Sequence, residues 1–318
     1  MQFHRLLGAA LLVSQLPGAP ATAQTEHPNR RITFIVGFAP GGGVDTLARI
    51  VAQELTGFGY QIVVENRPGA ASNIAAKAVA GAAADGTTFL FTGNSYAINQ
   101  TLYKNSGYST DDLKPVIFAA IDSQALAVSA RHPARDLSAF LQAVKDTSFS
   151  FGFGGSSSRI VSEYVLKVAA KTQGVAVPFQ SGAPALNALI GNHVDIIAGP
   201  VAELLPQVQQ GTVRALAVTG ARRAAALPDV PMLSEVGFPD LKIHGWIGLL
   251  APAATPPEIC ANLHAAVTAV MARPEVDAQL RALGYEPTAI ALADAQAFLR
   301  DSIDTWGRMI QATGIATQ

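Results

Sequence analysis

Short apolar runs alternate along the chain with segments in which apolar residues recur every three or four positions. The run ITFIVGF at 32–38 predicts a fully buried strand. From Val44 to Val51 the apolar residues then follow the i, i+3, i+4, i+7 spacing of an amphipathic helix. The segment FAPGGGVD at 38–45 joins the two, with Asp45 where an N-cap or a first-turn acid belongs. The pattern therefore predicts a strand, a glycine loop and a helix in succession.

The same unit recurs in the second half of the chain. SFSFGF is followed by GGSSS and by a second helical spacing of apolar residues from Val161 to Val168. Two further pairs of strand candidates match across the halves. QIVVE at 61–65 matches VAVPF at 175–179, and TTFLFT at 87–92 matches VDIIAG at 194–199. Three units repeated in order predict two α/β lobes, each a mostly parallel sheet flanked by helices. Ligands of such sheets bind beyond the carboxyl ends of the strands, so we expect a cleft between the lobes.

The tail after the second repeat has a different pattern and no glycine-loop unit. HGWIGLLAP predicts a strand, after which Thr255 and Glu258 are expected to form a capping box with Pro256 at the first helical position. A helix that ends at Gly284 and a last helix over 293–313 follow. We expect this tail to buttress one lobe rather than to form a third.

The N-terminus has the pattern of a secretory signal. A short positive start at Met1–Arg5 precedes an apolar stretch at 6–16 and the small-x-small sequence Ala21-Thr22-Ala23. Residues 1–23 are therefore predicted to be a signal peptide that is cleaved near Ala23, which indicates an exported protein. The alternative is a buried N-terminal helix.

Composition excludes several classes of partner. Charged residues make up 14% of the chain and the net charge is −1, with no basic or acidic block. This balance argues against a nucleic-acid surface and against electrostatic docking to a membrane. Cys260 is the single cysteine, so no intramolecular disulfide can form, and its place in a helical pattern predicts a small buried residue.

The glycine loops do not fit nucleotide-binding motifs. Val44-Asp45 stands where a P-loop needs GK[ST], and Thr46 stands where the dinucleotide motif needs its third glycine. The sequence at 93–97 resembles a nucleophile elbow around Ser95, with His193, His244 or His264 as a conceivable base, but no HGGG-type oxyanion loop is present. The histidines are scattered without metal-ligand spacing. We therefore expect no catalytic residues, no cofactor and no metal.

Binding of an anion is the physical alternative to catalysis. A glycine loop that leads into a helix presents several backbone N–H groups at the positive end of the helix dipole. Gly41–Gly43 would let the main chain approach a ligand, and Ser156–Ser158 would add hydroxyls from the opposite lobe. Tight βα turns also use glycine and serine, but several such loops around one cleft favour binding.

These segments together resemble a known family. PGGGVD, VVENRPGA, the DG-strand-TG sequence and WIGLLAPAATPPEI follow in the order seen in the extracytoplasmic solute receptors of tripartite tricarboxylate transporters, the Bug-type receptors. The resemblance covers the whole mature chain. It implies a two-lobed periplasmic binding protein fold of type II-like architecture, with residues 24–122 and 222–318 in the first lobe and 123–221 in the second. Hinge crossings are expected near 121–123 and 219–222.

The resemblance also implies a function and a site. Such receptors close on a small organic acid and deliver it to a membrane permease. One ligand carboxylate would be held by backbone amides of the first lobe, and the second lobe would supply specificity. The implied ligand-binding residues are Phe38, Ala39, Gly41, Gly42, Gly43, Asp45, Gly93, Asn94, Ser95, Tyr96, Asn99, Gly155, Ser156, Ser157, Ser158, Arg159, Phe179, Ser181, Gly182, Ala183 and Pro200.

Individual side chains in this set allow more than one interpretation. Arg159 stands where the family often has histidine, and it either pairs with a distal carboxylate or lies solvated in a first helical turn. Asp45 would repel an anion, so we assign it to capping and loop rigidity. Tyr96 and Phe179 either flank the ligand or belong to the core, and Trp246 is expected in the core.

Three questions of function stay open at the level of sequence. A secreted serine hydrolase that uses Ser95 is the alternative from another class. Within the binding class, the receptor could serve a sensor instead of a transporter. The ligand could be a mono-, di- or tricarboxylate, aromatic or not, and nothing in the chain demands more than a monomer.

Overall fold

The computed structural model describes residues 31–243 and 245–317. The predicted signal peptide, residues 1–23, and its cleavage site lie outside the described residues, as does His244. The strands are β1 (Arg31–Val36), β2 (Gln61–Asn66), β3 (Thr88–Gly93), β4 (Leu113–Asp122), β5 (Gln124–Ser129), β6 (Phe149–Phe153), β7 (Gly174–Pro178), β8 (Ile196–Pro200), β9 (Val213–Val218), β10 (Gly245–Pro252) and β11 (Glu286–Pro287). The helices are α1 (Gly43–Leu55), α2 (Asn73–Ala80), α3 (Ser95–Leu102), α4 (Leu137–Ala143), α5 (Ser156–Ser162), α6 (Gly182–Ile190), α7 (Val201–Gln209), α8 (Pro257–Met271), α9 (Pro274–Ala282) and α10 (Leu292–Thr313).

The strands form two sheets that repeat one arrangement. The first sheet has the order β11-β4-β10-β3-β1-β2, and the second has the order β7-β6-β8-β5-β9. In the first, β1 pairs in parallel with β2 and β3, and in the second, β6 pairs in parallel with β7 and β8. The repeat of three strand–loop–helix units is therefore confirmed.

The sheets are mixed rather than mostly parallel. Strand β10 lies antiparallel between β3 and β4, and β5 lies antiparallel between β8 and β9. Each of these strands enters its sheet directly after the chain has come from the other lobe. The repeated units account for the parallel pairs, and the crossings of the chain add the antiparallel ones.

Two crossing segments lie side by side between the sheets. The Gln124 N–H donates to Thr219 Oγ1 over 3.1 Å, and the Thr219 N–H donates to the Gln124 carbonyl oxygen over 2.9 Å. The Ile243 N–H donates to the Thr219 carbonyl oxygen over 2.8 Å. These contacts lie where the hinge is expected, and the hinge itself and the division into lobes at 122 and 221 stay predictions.

The start of α8 corrects one local prediction. The helix begins at Pro257, and Pro256 occupies the N-cap position without a side-chain cap. Thr255 thus lies one residue too early to cap the helix, and its buried hydroxyl has no hydrogen-bond partner among the described residues. The predicted capping box with Glu258 is therefore wrong. Gly284 does follow α9 with a left-handed φ of +86°, as expected for a helix C-terminus.

The tail contacts both lobes, which corrects the expectation that it buttresses one. Helix α8 packs against α1 and β4, whereas α10 packs against α3 and β4 and also against the π-helical segment Glu163–Ala169 that continues α5. One hydrophobic cluster accordingly contains Trp246 and Trp306 together with Phe151. Trp246 and Cys260 are buried as predicted. No helix within residues 31–243 and 245–317 is long and apolar enough to cross a membrane.

Candidate ligand-binding site

A cavity of about 490 Å³ lies where the loops after the parallel strands of both sheets meet. This volume is in the range of small-molecule sites, and the position is the one expected for α/β sheets. Fourteen of the predicted residues line it: Phe38, Ala39, Gly42, Gly43, Gly93, Asn94, Ser95, Gly155, Ser156, Ser157, Ser158, Ser181, Gly182 and Pro200. The structure thus brings the glycine and serine loops of the two halves together around one space.

The loop between β1 and α1 is held by Asp45 from behind. The Asp45 carboxylate accepts hydrogen bonds from the Gly41 N–H over 2.9 Å, from Arg49 Nε over 2.9 Å and from Asn66 Nδ2 over 2.7 Å. Burial alone would raise the pKa of this carboxyl, but the three donors together lower it below its usual value. Gly41 carries the left-handed φ of +80° that the turn needs. Asp45 and Gly41 therefore shape the loop and do not line the cavity.

The first turn of α1 has backbone N–H groups beside the cavity that no intrahelical carbonyl accepts. The Gly42 N–H is already used by the Ala39 carbonyl oxygen, whereas the first N–H groups inside a helix have no intrahelical acceptor. Gly43 and Val44 supply two of these groups to the cavity wall, and Ser95 supplies another at the start of α3. Gly43 also allows close packing, because a Cβ there would lie 2.2 Å from the Tyr285 hydroxyl oxygen.

The loop after β2 forms part of the cavity wall, and none of its residues was predicted from the sequence to lie at the site. Ala70, Ala71 and Ser72 have left-handed φ values of +45°, +51° and +78°. Such residues each cost roughly 1–3 kcal/mol unless their surroundings hold them, and they concentrate at functional sites. Here Asn99 Nδ2 donates to the Ala71 carbonyl oxygen over 2.8 Å, and the Ser72 hydroxyl lies 3.1 Å from that of Thr92. Asn99, predicted at the ligand, instead supports this loop from a fully buried position.

The loops of the second half pack closely against each other. A Cβ on Gly154 would lie 1.9 Å from the Ser181 carbonyl carbon, so only glycine permits this approach. A Cβ on Gly182, at the start of α6, would lie 2.0 Å from Glu203 Oε2. The positive end of α6 is therefore occupied by a carboxylate of the protein itself.

Two acids and a tyrosine line the same cavity and were missed at the level of sequence. Asp122 lies at the end of β4, Glu203 in the first turn of α7 and Tyr285 in the tail. Burial, with a smaller contribution from the Glu203 charge, raises the pKa of Asp122 to about 7, and burial raises the pKa of Glu203. Asp122 Oδ1 is buried without a hydrogen-bond partner among the described residues. A polar residue at the end of an apolar strand was the only signal for Asp122, and it is a weak one.

No lysine, arginine or histidine among the described residues lines the cavity. Arg159 lies 3.8 Å from Glu163 and places its guanidinium 5.6 Å from the centre of the Phe153 ring. Its side chain is about one third exposed, and the structure does not bring it into the cavity wall. The wall therefore combines backbone donors with acidic side chains.

The remaining predicted residues also lie outside the wall. Tyr96 is buried and stacks on Tyr108 with 5.5 Å between the ring centres, which places it in the core. Phe179 is half-buried against the hydrophobic cluster of the second sheet. Ala183 follows Gly182 in the first turn of α6 without lining the cavity.

Ser95 faces the cavity, and no histidine in the described part of the chain lines the cavity with it. Its hydroxyl is buried without a hydrogen-bond partner among the described residues. His132 Nδ1 accepts from the Ala134 N–H over 3.1 Å, and His264 Nδ1 lies 2.9 Å from the Val116 carbonyl oxygen. Neither these histidines nor His193 line the cavity. The arrangement offers Ser95 as a hydrogen-bonding group.

The chain is similar to known proteins over most of its length. Residues 47–315 match the family described as "Tripartite tricarboxylate transporter family receptor". A relative from Pseudomonas sp. (strain P51), the UPF0065 protein in the tcbD-tcbE intergenic region, is 30% identical over 96% of this chain and 93% of its own.

Solved structures show the same fold. The R. palustris protein Rpa4515, solved with adipate, has a TM-score of 0.83 and 30% identity, and the match covers 91% of this chain and 99% of that one. The periplasmic binding protein BugD has a TM-score of 0.79 and 27% identity, over 92% of this chain and 100% of that one. The two-lobed binding-protein fold is thereby confirmed.

Proposed function

The chain belongs to the tripartite tricarboxylate transporter family of receptors, and on that premise we propose that it captures a small organic carboxylate between its lobes. As a family member it is a solute-binding receptor for a transporter. The observation that carries the finer proposal is the convergence of free first-turn amides from α1 and α3 on one cavity. The adipate in the related R. palustris protein supports an acid as ligand.

Binding rather than catalysis is the second part of the proposal. The chain would act without turnover, because the cavity holds hydrogen-bond donors and a lone Ser95 hydroxyl but no histidine among the described residues to activate it. A serine hydrolase would instead be labelled covalently at Ser95 by a fluorophosphonate probe and would cleave model esters. Labelling at Ser95 would overturn this part of the proposal.

Localisation and partner complete the proposal. We infer an exported, periplasmic receptor whose N-terminal signal ends near Ala23, supported by the family and by the periplasmic relative BugD. Closure of the lobes on the ligand would present a surface to the permease subunits of the transporter. A monomer is sufficient for this role. A soluble receptor that serves a sensor would show the same binding but would associate with a different membrane protein.

The direct test is a thermal-shift screen of residues 24–318 with mono-, di- and tricarboxylates, aromatic acids and amino acids. A ligand at a hundred times its dissociation constant should add about 2.7 kcal/mol to the free energy of unfolding. Gly155→Trp should abolish the shift, because Gly155 lines the cavity with open space around its Cα. Ala254→Trp, at an exposed position after β10, is the matched control and should keep it. The absence of any shift would contradict the proposal.

A further inference from the structure

The cavity wall contains two acidic side chains that no cation of the protein neutralises. Asp122 and Glu203 both line it, and neither has a hydrogen bond or ion pair through its carboxyl group among the described residues. Asp45 is different, since three donors surround its carboxylate on the far side of the loop. Unpaired carboxylates in a partly dehydrated site are costly unless a cation or a proton joins them.

The two acids also influence each other and Tyr285. Burial raises the pKa of Asp122 and of Tyr285; the Glu203 charge adds to the first shift and both acids add to the second, so the three groups lie within electrostatic reach of one another. Among the described residues, these three are the ionisable side chains in the wall. A ligand that carried only negative charge would meet repulsion from this side of the cavity.

The position of Glu203 strengthens the argument. Its carboxylate lies against Gly182, at the N-terminus of α6, where the family resemblance implies ligand-binding residues. Pro184, the third residue of α6, has no N–H to offer. The second half of the site therefore presents an acidic side chain, and not free amides, at the start of α6.

We infer that the ligand is an amine-bearing carboxylate, whose carboxylate binds the free amides of α1 and α3 and whose ammonium group binds Glu203 and Asp122. This inference rests on the proposed function and narrows its substrate class. An ammonium group provides three donors for carboxylate oxygens, including the unpartnered Oδ1 of Asp122. It also brings a cation to carboxyl groups that no lysine, arginine or histidine of the described wall pairs, so one ligand satisfies both sides of the cavity.

The experiment compares acids that differ only in the amine, by calorimetric titration of residues 24–318 at pH 8. The pairs are L-glutamate and glutarate, L-norvaline and valerate, and γ-aminobutyrate and butyrate. We expect the amine-bearing member of at least one pair to bind ten times more tightly or better. Glu203→Gln and Asp122→Asn should each reduce that preference at least fivefold. Glu258→Gln removes an exposed first-turn acid of α8, the matched position outside the cavity, and should leave it unchanged.

Each result separates this inference from the proposed function. Equal or tighter binding of the acids without an amine, with a further gain in Glu203→Gln, would overturn the inference and leave carboxylate capture standing. Such a gain would show that the Glu203 charge repels the ligand instead of binding an ammonium group. If the preference for the amine-bearing acid survives in Glu203→Gln, in Asp122→Asn and in the double variant, these two residues do not bind the ammonium group, and the inference is overturned. If no acid of either kind binds, the proposed function fails together with the inference.

Discussion

The loop at 38–45 and the acidic wall at Asp122 and Glu203 lie at the same cavity, but they differ in whether their carboxyl groups have hydrogen-bond donors. Asp45 is turned away from the cavity and accepts three hydrogen bonds, so its pKa is lowered. Asp122 and Glu203 face the cavity without partners, and burial raises the pKa of each. An acid near a binding site can therefore be part of the scaffold or part of the recognition surface, and its donors decide which.

This difference matters because similar local patterns occur in both halves, although α1 and α6 follow different strands of the repeat. Helices α1 and α6 both begin with a glycine after a parallel strand. The N-terminus of α1 is open to the cavity, whereas Glu203 from α7 covers that of α6. A glycine at the start of a helix thus leaves the helix N-terminus open to the cavity in one half, while an acidic side chain covers it in the other.

The largest expected effect is a pH dependence that Asp122 confers on the free protein. Its folded pKa is about 7 and its unfolded value is 3.8, so the folded state binds the proton more tightly. The free energy of unfolding should fall as pH rises from about 4 to 7, by at most about 4 kcal/mol at 1.36 kcal/mol per pKa unit. Glu203 and Tyr285 are the titratable groups described beside it. Asp122→Asn should flatten this slope in urea unfolding measured between pH 4 and 7.5.

The control for this slope is Asp146→Asn, which changes an exposed acid without a described partner. It should keep the pH dependence of the wild type. An unchanged slope in Asp122→Asn would show that the acids at the cavity are not the source, and the contrast with Asp45 would be lost.

The second effect tests the close contact between the loops of the second half. Gly154→Ser would place its Cβ 1.9 Å from the Ser181 carbonyl carbon, so we expect a loss of about 1–3 kcal/mol in the free energy of unfolding. Gly155→Ser adds the same side chain at the adjacent residue and is the control. Nothing lies within 4 Å of the new Cβ there, and serine is favoured at this N-cap position of α5. Denaturant unfolding should separate the two variants, and similar losses in both would contradict the contact.

The third effect tests the scaffold role of Asp45. Asp45→Asn weakens hydrogen bonds from Gly41, Arg49 and Asn66, so a loss of about 1–2 kcal/mol is expected at pH 7. Because the folded pKa is lowered, this contribution is present above pH 3.8 and is lost as pH falls below it. Asp277→Asn is the control, since it breaks an exposed pair with Arg281 and should cost roughly 0.2–1 kcal/mol. Equal losses would show that the loop does not depend on Asp45.

The smallest effect concerns Arg159, for which ligand pairing was one of two hypotheses. Because the guanidinium lies near Glu163 and over Phe153, Arg159→Ala should change ligand affinity by less than about twofold on the 1.4 kcal/mol per decade scale. Lys167→Ala removes the other partner of Glu163, at 2.8 Å, and serves as the control in the same titration. A tenfold loss confined to Arg159→Ala would show that closure brings this arginine to the ligand.

Much of the fold could be predicted because its signals are local. The strands of both repeats, the glycine and serine loops after them and the amphipathic stripe of α1 follow from apolar spacing and turn residues. The chain direction of parallel strands then places these loops on one edge. The mixed character of the sheets could not be predicted, because β5 and β10 pair with strands distant in sequence.

The parts of the site that were missed have weak or misleading local signals. Alanines at 70 and 71 have left-handed backbones that their residue type disfavours, and Asn99 and Thr92 on other elements help to hold the loop. Thr255 and Glu258 have the capping-box spacing, yet α8 begins one residue later. In the loop at 70–72, contacts from distant residues outweigh a local preference.

The sequence alone determined the repeat of strand, loop and helix, the burial of its apolar faces and the place where the loops of each half would gather. Only the tertiary structure decided that Asp45 is satisfied from behind, that Glu203 covers the start of α6 and that Asp122 and Tyr285 join it in the wall. The physical reason is that apolar periodicity is a local property, which specifies an element and its buried face. Whether a charge finds a partner depends on which distant segments the fold brings within a few ångströms of it.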